Sequence, residues 1–224
     1  MALTKYNYNS FDITPVASKT LAFNSDADGF TTVTEGSMVL IKTLTASSSA
    51  NLSFVDGTSD VVLDNTYPIY KFVFVNMHPA TDSAQFQFNM SVDTGSNYNV
   101  TKTTTFFKSR LYEDHSGAEL GYETGSDLAQ GTGAQPLTYA GITNANDSSL
   151  SGILTIFNPS STTFVKHFIS KCQYMGNEAA NPVSYNSFIA GYANSTSAVD
   201  AIQFSMSSGN IDAGTIKLYG IKDS

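Results

Sequence analysis

The sequence predicts an all-β protein, built as a single antiparallel β-sandwich of jelly-roll type. β-branched and aromatic residues dominate the apolar runs, and no window keeps the apolar spacing of an amphipathic helix cleanly for three turns. The chain also ends on a regular alternation, in which Ile216 and Leu218 should point to one face. Lys217 and Tyr219 should point to the other face. A terminal strand is normally tied into a sheet, because a free terminus frays, so we expect this strand to close the fold.

Further segments carry strand patterns separated by turn residues, at the spacing typical of a sandwich. In residues 85–92, Phe86, Phe88, Met90 and Val92 should point inward. The turn at residues 93–97 then predicts an antiparallel pair with residues 98–107. Residues 69–77 are apolar on both faces, which predicts a strand covered on both sides. The other candidate strands are residues 20–24, 37–44, 51–55, 60–63, 152–158, 163–175, 183–192, 201–206 and 215–221.

The chain is expected to form one domain, since nothing in it resembles a linker. Residues 1–30 are predicted to be an N-terminal arm outside the sandwich, and residues 31–224 to be the sandwich itself. Residues 113–149, here called the excursion, are rich in Gly and poor in bulky apolar side chains. We expect a long loop without regular secondary structure there, and loops of this length are often functional.

Composition and charge narrow the classes of partner. Charged residues make up only 13% of the chain, about half the usual share. Ser, Thr, Asn and Gly must therefore cover the surface, as is common in β-rich extracellular and virion proteins. A net charge of −8 without clustered Lys or Arg argues against a nucleic-acid partner. No apolar run approaches the roughly 20 residues that span a bilayer, and the first residues lack the apolar core of a signal peptide. We therefore expect no membrane partner and synthesis in a cytoplasm.

Two sequence blocks carry a family resemblance. The first is YKFVFVNMHPATD at residues 70–82, and the second runs from Ile202 to GTIKLYGI at residues 214–221. Together with GILTIFNP at residues 152–159, they resemble a family of β-sandwich virion structural proteins of tailed phages, of the marine bacteriophage and cyanophage type. The resemblance covers roughly residues 36–222, and the terminal block is its most specific part. The resemblance implies a structural component of the virion and assigns no catalytic residues to this chain. It does not account for the arm or the excursion.

These observations together predict a non-enzymatic phage virion structural protein, located in the virion. The first expectation is a head decoration or capsid-associated protein that forms a homo-oligomer, with a trimer as the first guess. Its partners would be its own copies and other virion proteins, such as major capsid or tail proteins. The alternative is a tail or tail-fibre appendage that binds host surface glycans, and a free carbohydrate-binding module also stays open.

Tyrosines in loop-like stretches are the candidate contact residues. Tyr together with Gly, Ser and Asn is the composition of adaptable recognition loops, and a Tyr ring can pack while its hydroxyl stays paired. The candidates for partner or glycan contact are Tyr6, Tyr8, Tyr112, Tyr122 and Tyr139.

Metal, cofactor and catalytic signals are weak. Asp26 and Asp28, followed by Gly29, resemble the opening of a calcium loop, but Ser37 stands where an EF-hand has its acidic residue. The three His have no zinc-site spacing, and His78 before Pro79 is expected to form a turn. We therefore predict no cofactor and no metal, with Asp26 and Asp28 as weak candidates.

An enzyme would need a geometry that the sequence does not provide. A glycosidase needs two carboxyl groups held at a defined separation on rigid elements. The available acids lie in the Gly-rich excursion, and they are Glu113, Glu119, Glu123 and Asp127. The single cysteine, Cys172, lies in a strand-like run and is expected to be a buried apolar thiol rather than a nucleophile.

Overall fold

The computed structural model describes residues 19–23, 30–34, 36–178 and 181–223, and it confirms the all-β sandwich. These residues form strands joined by turns, and none of them belongs to a helix that could span a membrane. The strands are β1 (Lys19–Phe23), β2 (Phe30–Thr34), β3 (Met38–Thr45), β4 (Leu52–Val55), β5 (Ile69–Pro79), β6 (Phe86–Ser91), β7 (Lys102–Tyr112), β8 (Ala118–Tyr122), β9 (Gln135–Pro136), β10 (Leu150–Phe157), β11 (Lys166–Glu178), β12 (Asn181–Ala193), β13 (Ala201–Met206) and β14 (Ile211–Ile221).

The strands form two main antiparallel sheets of unequal width. The larger sheet has eight strands in the order β3-β14-β5-β10-β11-β12-β7-β8, and the smaller has four in the order β4-β13-β6-β9. β1 and β2 pair with each other in a separate two-stranded sheet. This pairing joins residues on both sides of the arm boundary predicted at residue 30. Residues 1–18 and 24–29 of the arm lie outside the described residues.

The core between the two main sheets is dominated by aromatic rings. Phe204 on β13 lies at its centre, with its ring centroid 5.2 to 6.4 Å from five other phenylalanine rings. These rings belong to Phe54, Phe72, Phe74, Phe86 and Phe88. Each such pair adds about 0.5–1.5 kcal/mol to the free energy gained by burying the ring area. The inward-facing side chains of both sheets therefore form one continuous core.

The terminal strand closes the larger sheet, as predicted. β14 lies between β3 and β5, so both of its edges are hydrogen-bonded. Ile216 and Leu218 are fully buried, whereas Lys217 and Tyr219 are partly exposed on the opposite face. The period-two pattern therefore gave both the strand and its orientation correctly.

The predicted pairing of residues 85–92 with 98–107 is wrong. β6 pairs with β13 and β9 in the smaller sheet, whereas β7 pairs with β12 and β8 in the larger one. The connecting turn is stabilised internally, because the Asp93 carboxylate accepts hydrogen bonds from Ser91 and from the backbone and side chain of Asn97. The chain then crosses to the other sheet instead of folding back. Val92 is 37% exposed and does not point inward.

β5 lies inside the sheet, as predicted, but it is not covered on both sides. Tyr70, Phe72 and Phe74 are buried, whereas Val75 on the other face is 39% exposed. Asn76 has a positive φ of 52°, and the next residue, Met77, is buried again. The irregularity at Asn76 shifts the alternation, so that Met77 returns to the core side, whereas Val73 and Val75 lie on the uncovered face.

Several segments differ from the expected secondary structure. His78 and Pro79, which were expected to form a turn, form the end of β5 instead. The excursion contains β8 and β9, so the expectation of no regular structure there is wrong in part. Residues 60–63 form no strand, because Asp60 has a positive φ of 67° and the segment turns. β2 has no counterpart among the predicted strands.

Candidate interaction surface

One face of the eight-stranded sheet points away from the aromatic core, and it is here called the outer face. Cross-strand registers place one residue from each strand in a continuous row across it. In sheet order, this row is Thr43, Lys217, Val73, Ile153, Lys171, Phe188, Phe107 and Tyr122. Side chains opposite each other on neighbouring strands lie about 5 Å apart, so the row forms one connected surface.

Aromatic side chains are concentrated at one end of this row. Phe188, Phe107 and Tyr122 lie on the adjacent strands β12, β7 and β8 and are 41%, 44% and 42% exposed. The rings of Phe107 and Tyr122 meet edge to face, with centroids 5.3 Å apart. Aromatic groups that remain this exposed on a folded domain often mark a contact surface.

The apolar character extends over the whole outer face. Within residues 36–178 and 181–223, the strongly exposed large apolar side chains lie on this face, apart from Val92 and Phe164. Besides the aromatic end of the row, they are Met38, Leu40, Val75, Leu111, Leu120, Ile153 and Ile169. An antiparallel sheet with one solvated face normally carries polar residues there, so this face is unusual.

The outer face also differs from the rest of the chain in charge. Lys217 and Lys171 lie in the row described above, and Lys71 lies in the neighbouring row between Tyr219 and Thr155. No Asp or Glu lies in either of these two rows. None lies in the row on the opposite side of the first row, which ends at Leu120. Removing these three positive charges from the net charge of −8 leaves −11 on the remainder of the chain. These three rows of the outer face are therefore basic and apolar, whereas Glu113 and Asp147 line a depression beside Ser151 and Gln173, and Asp127 lies next to Tyr122.

The excursion is anchored to the sandwich rather than extended as a recognition loop. The Tyr174 hydroxyl accepts hydrogen bonds from the backbone N–H groups of Tyr139 at 2.8 Å and Ala140 at 3.1 Å. The Ser187 hydroxyl donates to the carbonyl of Leu137 at 2.6 Å, and the Leu137 side chain is fully buried. This part of the excursion belongs to the core.

A buried lysine organises the acids of the excursion. Lys108 is only 3% exposed, and its Nζ lies 2.7 Å from Glu123, 3.5 Å from Glu119 and 3.5 Å from the centroid of the Tyr139 ring. Burial alone would lower the pKa of Lys108, but its hydrogen bonds to Glu123 and Tyr139 outweigh burial and raise it. Arg110 lies 2.7 Å from Glu119 as well. Both glutamates are therefore ion-paired groups that hold the excursion against β7.

The other two candidate acids, Glu113 and Asp127, do not join this cluster. Glu113 lines a shallow depression together with Asp147 and Ser184. Asp127 accepts a 2.6 Å hydrogen bond from the Tyr122 hydroxyl, and this bond raises the pKa of Tyr122.

The three candidate tyrosines that the structure describes lie in different environments. Tyr112 and Tyr139 are partly buried and pack against the core. Tyr122 is exposed on the outer face. Tyr6 and Tyr8 lie outside the described residues. Tyr122 is therefore the one candidate placed on the outer face within the part of the chain that the structure describes.

The weak metal candidates, Asp26 and Asp28, also lie outside the described residues. His78 lies 3.5 Å from Asp212, and its Nε2 is 3.1 Å from the carbonyl oxygen of Ala145. The described residues contain no group of three or more His, Cys, Asp or Glu side chains placed to hold a metal ion.

Cys172 lies on the inner side of β11 and is fully buried. Burial raises the pKa of its thiol to about 12, so the nucleophilic thiolate is scarce at neutral pH. Its environment is that of a packed apolar side chain.

The sequence pattern alone does not reveal the outer face as a candidate interaction surface. Phe107, Phe188 and Ile153 were each placed in candidate strands, but their direction depends on the register between distant strands. Apolar residues on both faces of β5 were the available signal, and we interpreted them as burial on both sides. The same pattern also fits a face that is covered only in an assembly.

Comparisons with protein-family models, curated proteins and solved structures find no significant match for this chain.

Proposed function

We propose that this protein is a non-enzymatic structural protein of a tailed-phage virion, made in the host cytoplasm and incorporated as a head decoration or capsid-associated homo-oligomer. The observation that carries the proposal is the uncovered outer face. An exposed apolar face of this width is a liability for a soluble monomer, and it is suited to a protein that works in an assembly.

The virion class rests on the sequence resemblance. The block at residues 70–82 forms most of β5, and the terminal block forms most of β14, its hydrogen-bonded neighbour. The two blocks thus share one sheet and contribute side chains to both its inner and its outer face. The proposal that the protein has no catalytic role is supported by Glu119 and Glu123, which are paired with Lys108 and Arg110.

The copy number of the polypeptide in purified particles tests this proposal. Quantitative mass spectrometry would measure it against the major capsid protein. A ratio that matches a simple multiple of the capsid lattice supports a head decoration. A small fixed number per particle would replace it with a tail or fibre appendage, and absence from the particle would overturn the virion assignment.

The appendage alternative has one observation in its favour. Phe188, Phe107 and Tyr122 form an exposed aromatic group, and sugars often stack on exposed aromatic rings. The planes of Phe107 and Tyr122 are inclined at 85°, which does not give the flat platform that a sugar ring would need. Saturable binding on a glycan array that is lost in Tyr122→Ala would favour this alternative. Wild-type protein that binds nothing on a broad array would remove it.

A further inference from the structure

We propose that the outer face binds a second copy of this chain, in a head-to-tail contact with an acidic surface of that copy. This inference deepens the proposed function by naming the partner of the outer face. It can be tested on the purified chain alone, so it can fail while the virion assignment stands.

The size of the outer face is sufficient for a stable interface. The sheet has eight strands, and at about 4.8 Å per strand it is about 38 Å wide. Its longer strands have at least eleven residues, which at about 3.3 Å per residue corresponds to about 36 Å. Allowing for the shorter edge strands, the face is on the order of 1,000 Å², compared with about 800 Å² per partner in a standard interface.

The side chains on this face match the composition of an interface core. Large aromatic residues are enriched at the centres of protein interfaces, where a few of them contribute most of the binding free energy. Phe107 and Phe188 lie directly opposite each other on neighbouring strands, and Ile153 and Val73 continue the same row. We infer that the two phenylalanines are the main anchors.

Charge selects the geometry of the contact. A face-to-face dimer would bring Lys71, Lys171 and Lys217 of both copies into one interface, and the rows that hold these lysines carry no carboxylate. The acids nearest to the face, Glu113, Asp147 and Asp127, lie beside those rows and not within them. Like charges in an interface are destabilising. The rest of each chain carries a net charge of −11 once these lysines are removed from −8, so another surface of the second copy is the better complement. A head-to-tail contact of this kind closes into a ring when its rotation permits, which suits a trimer.

Sedimentation equilibrium of the full chain over a micromolar concentration range tests this inference. We expect a wild-type mass that is a multiple of the 24.0 kDa chain. The double variant Phe107→Ser with Phe188→Ser should weaken association by at least about thirty-fold. The matched control is Phe164→Ser, because Phe164 is 70% exposed but lies in the connection before β11. This control should associate like the wild type.

Charge reversal provides a second variant that does not alter packing. Lys171→Glu should weaken association, whereas Lys222→Glu, beyond the end of β14, should not. Association of the wild type should also weaken as the salt concentration rises from about 0.05 M to about 0.5 M. If Lys171→Glu strengthens association instead, the lysines face each other and the head-to-tail geometry is wrong.

Two outcomes separate this inference from the proposed function. A wild-type chain that stays monomeric at every concentration, or a Phe107 and Phe188 variant that associates normally, overturns the inference even if the protein is found in particles. An oligomer disrupted as expected, in a protein absent from particles, would keep the inference and overturn the virion assignment.

Discussion

Replacing Lys102 with Met should change how the stability of this protein depends on pH. The Lys102 side chain is fully buried, and its Nζ donates hydrogen bonds to Asn89 Oδ1 at 2.5 Å and to the Val100 carbonyl at 2.8 Å. The described part of the chain contains no carboxylate that forms a salt bridge with it. Burial lowers the pKa of Lys102 to about 8. The protonated amine is therefore held in the core at a cost.

The magnitude follows from the difference in pKa between the folded and unfolded chains. The unfolded chain should protonate Lys102 with the ordinary value of 10.5, and the folded chain with a value of about 8. Between these values the unfolded chain binds more protons, so the free energy of unfolding rises with pH. From pH 7 to pH 9 the gain is about 1.3 kcal/mol, and the whole shift corresponds to about 3.4 kcal/mol. Burial raises the pKa of the Cys172 thiol from 9.0 to about 12, so ionisation of this thiol in the unfolded chain offsets about 0.4 kcal/mol of the gain by pH 9. Burial also raises the pKa of Tyr70 and Tyr174, whose opposite effect begins only as the pH approaches 10.

Urea unfolding at pH 7, 8 and 9, at one fixed protein concentration, measures this effect. Over this range the wild type should gain about 1.3 kcal/mol more than Lys102→Met does. Lys102→Met should lose that gain and should be more stable than the wild type at pH 7, since Met keeps the apolar stem without a charge. The control is Lys42→Met, because Lys42 is partly exposed on the edge strand β3, and it should keep the wild-type slope. Parallel curves for the wild type and Lys102→Met would refute the reasoning.

Three further predictions concern the core and the excursion. Tyr174→Phe leaves two backbone N–H groups of the excursion without their acceptor and should lower the free energy of unfolding by about 1–3 kcal/mol, measured by urea unfolding; an unchanged midpoint would show that the excursion is not anchored there. Glu123→Gln removes the closest ionic partner of buried Lys108 and should lower the free energy of unfolding by about 2 kcal/mol. Asp147→Asn, at an exposed position, should leave the free energy of unfolding unchanged. Equal stability of the two variants would contradict this prediction. Cys172 should react with a thiol reagent in denaturant and not in the native protein; rapid native labelling would contradict its placement.

The elements that could be predicted from the sequence are those whose pattern is local. The alternation in β14 gave its strand and its buried face, because side-chain direction in a strand depends only on parity. The partners of β6 could not be predicted in this way. They depend on β13 and β9, which are distant in sequence, and on the Asp93 turn that directs the chain to the other sheet.

The excursion shows another limit of sequence patterns. Leu137 and Ile142 are fully buried, although they lie in a segment without periodicity. Side-chain hydrogen bonds from Ser187 and to Tyr174 hold this segment. Irregular backbone can enter a core when its polar groups are paired in this way, and no periodic signal accompanies it.

The outer face was predictable in composition but not in role. The sequence contains Phe107, Phe188 and Ile153 at alternating strand positions, yet an apolar face covered within the chain and one covered by a partner have the same pattern. The registers place these residues in one row on the side opposite the core.

The most direct test of the central claim is oxidative footprinting of the outer face in assembled particles. Hydroxyl radicals label exposed aromatic side chains, and mass spectrometry would compare Phe107 and Phe188 in particles with the same residues in the protein dissociated from them. The account predicts that both are protected in particles, while Phe164, which is 70% exposed and outside the face, is labelled equally in both samples. Equal labelling of Phe107, Phe188 and Phe164 in the two samples would contradict the assignment of the outer face as an assembly surface.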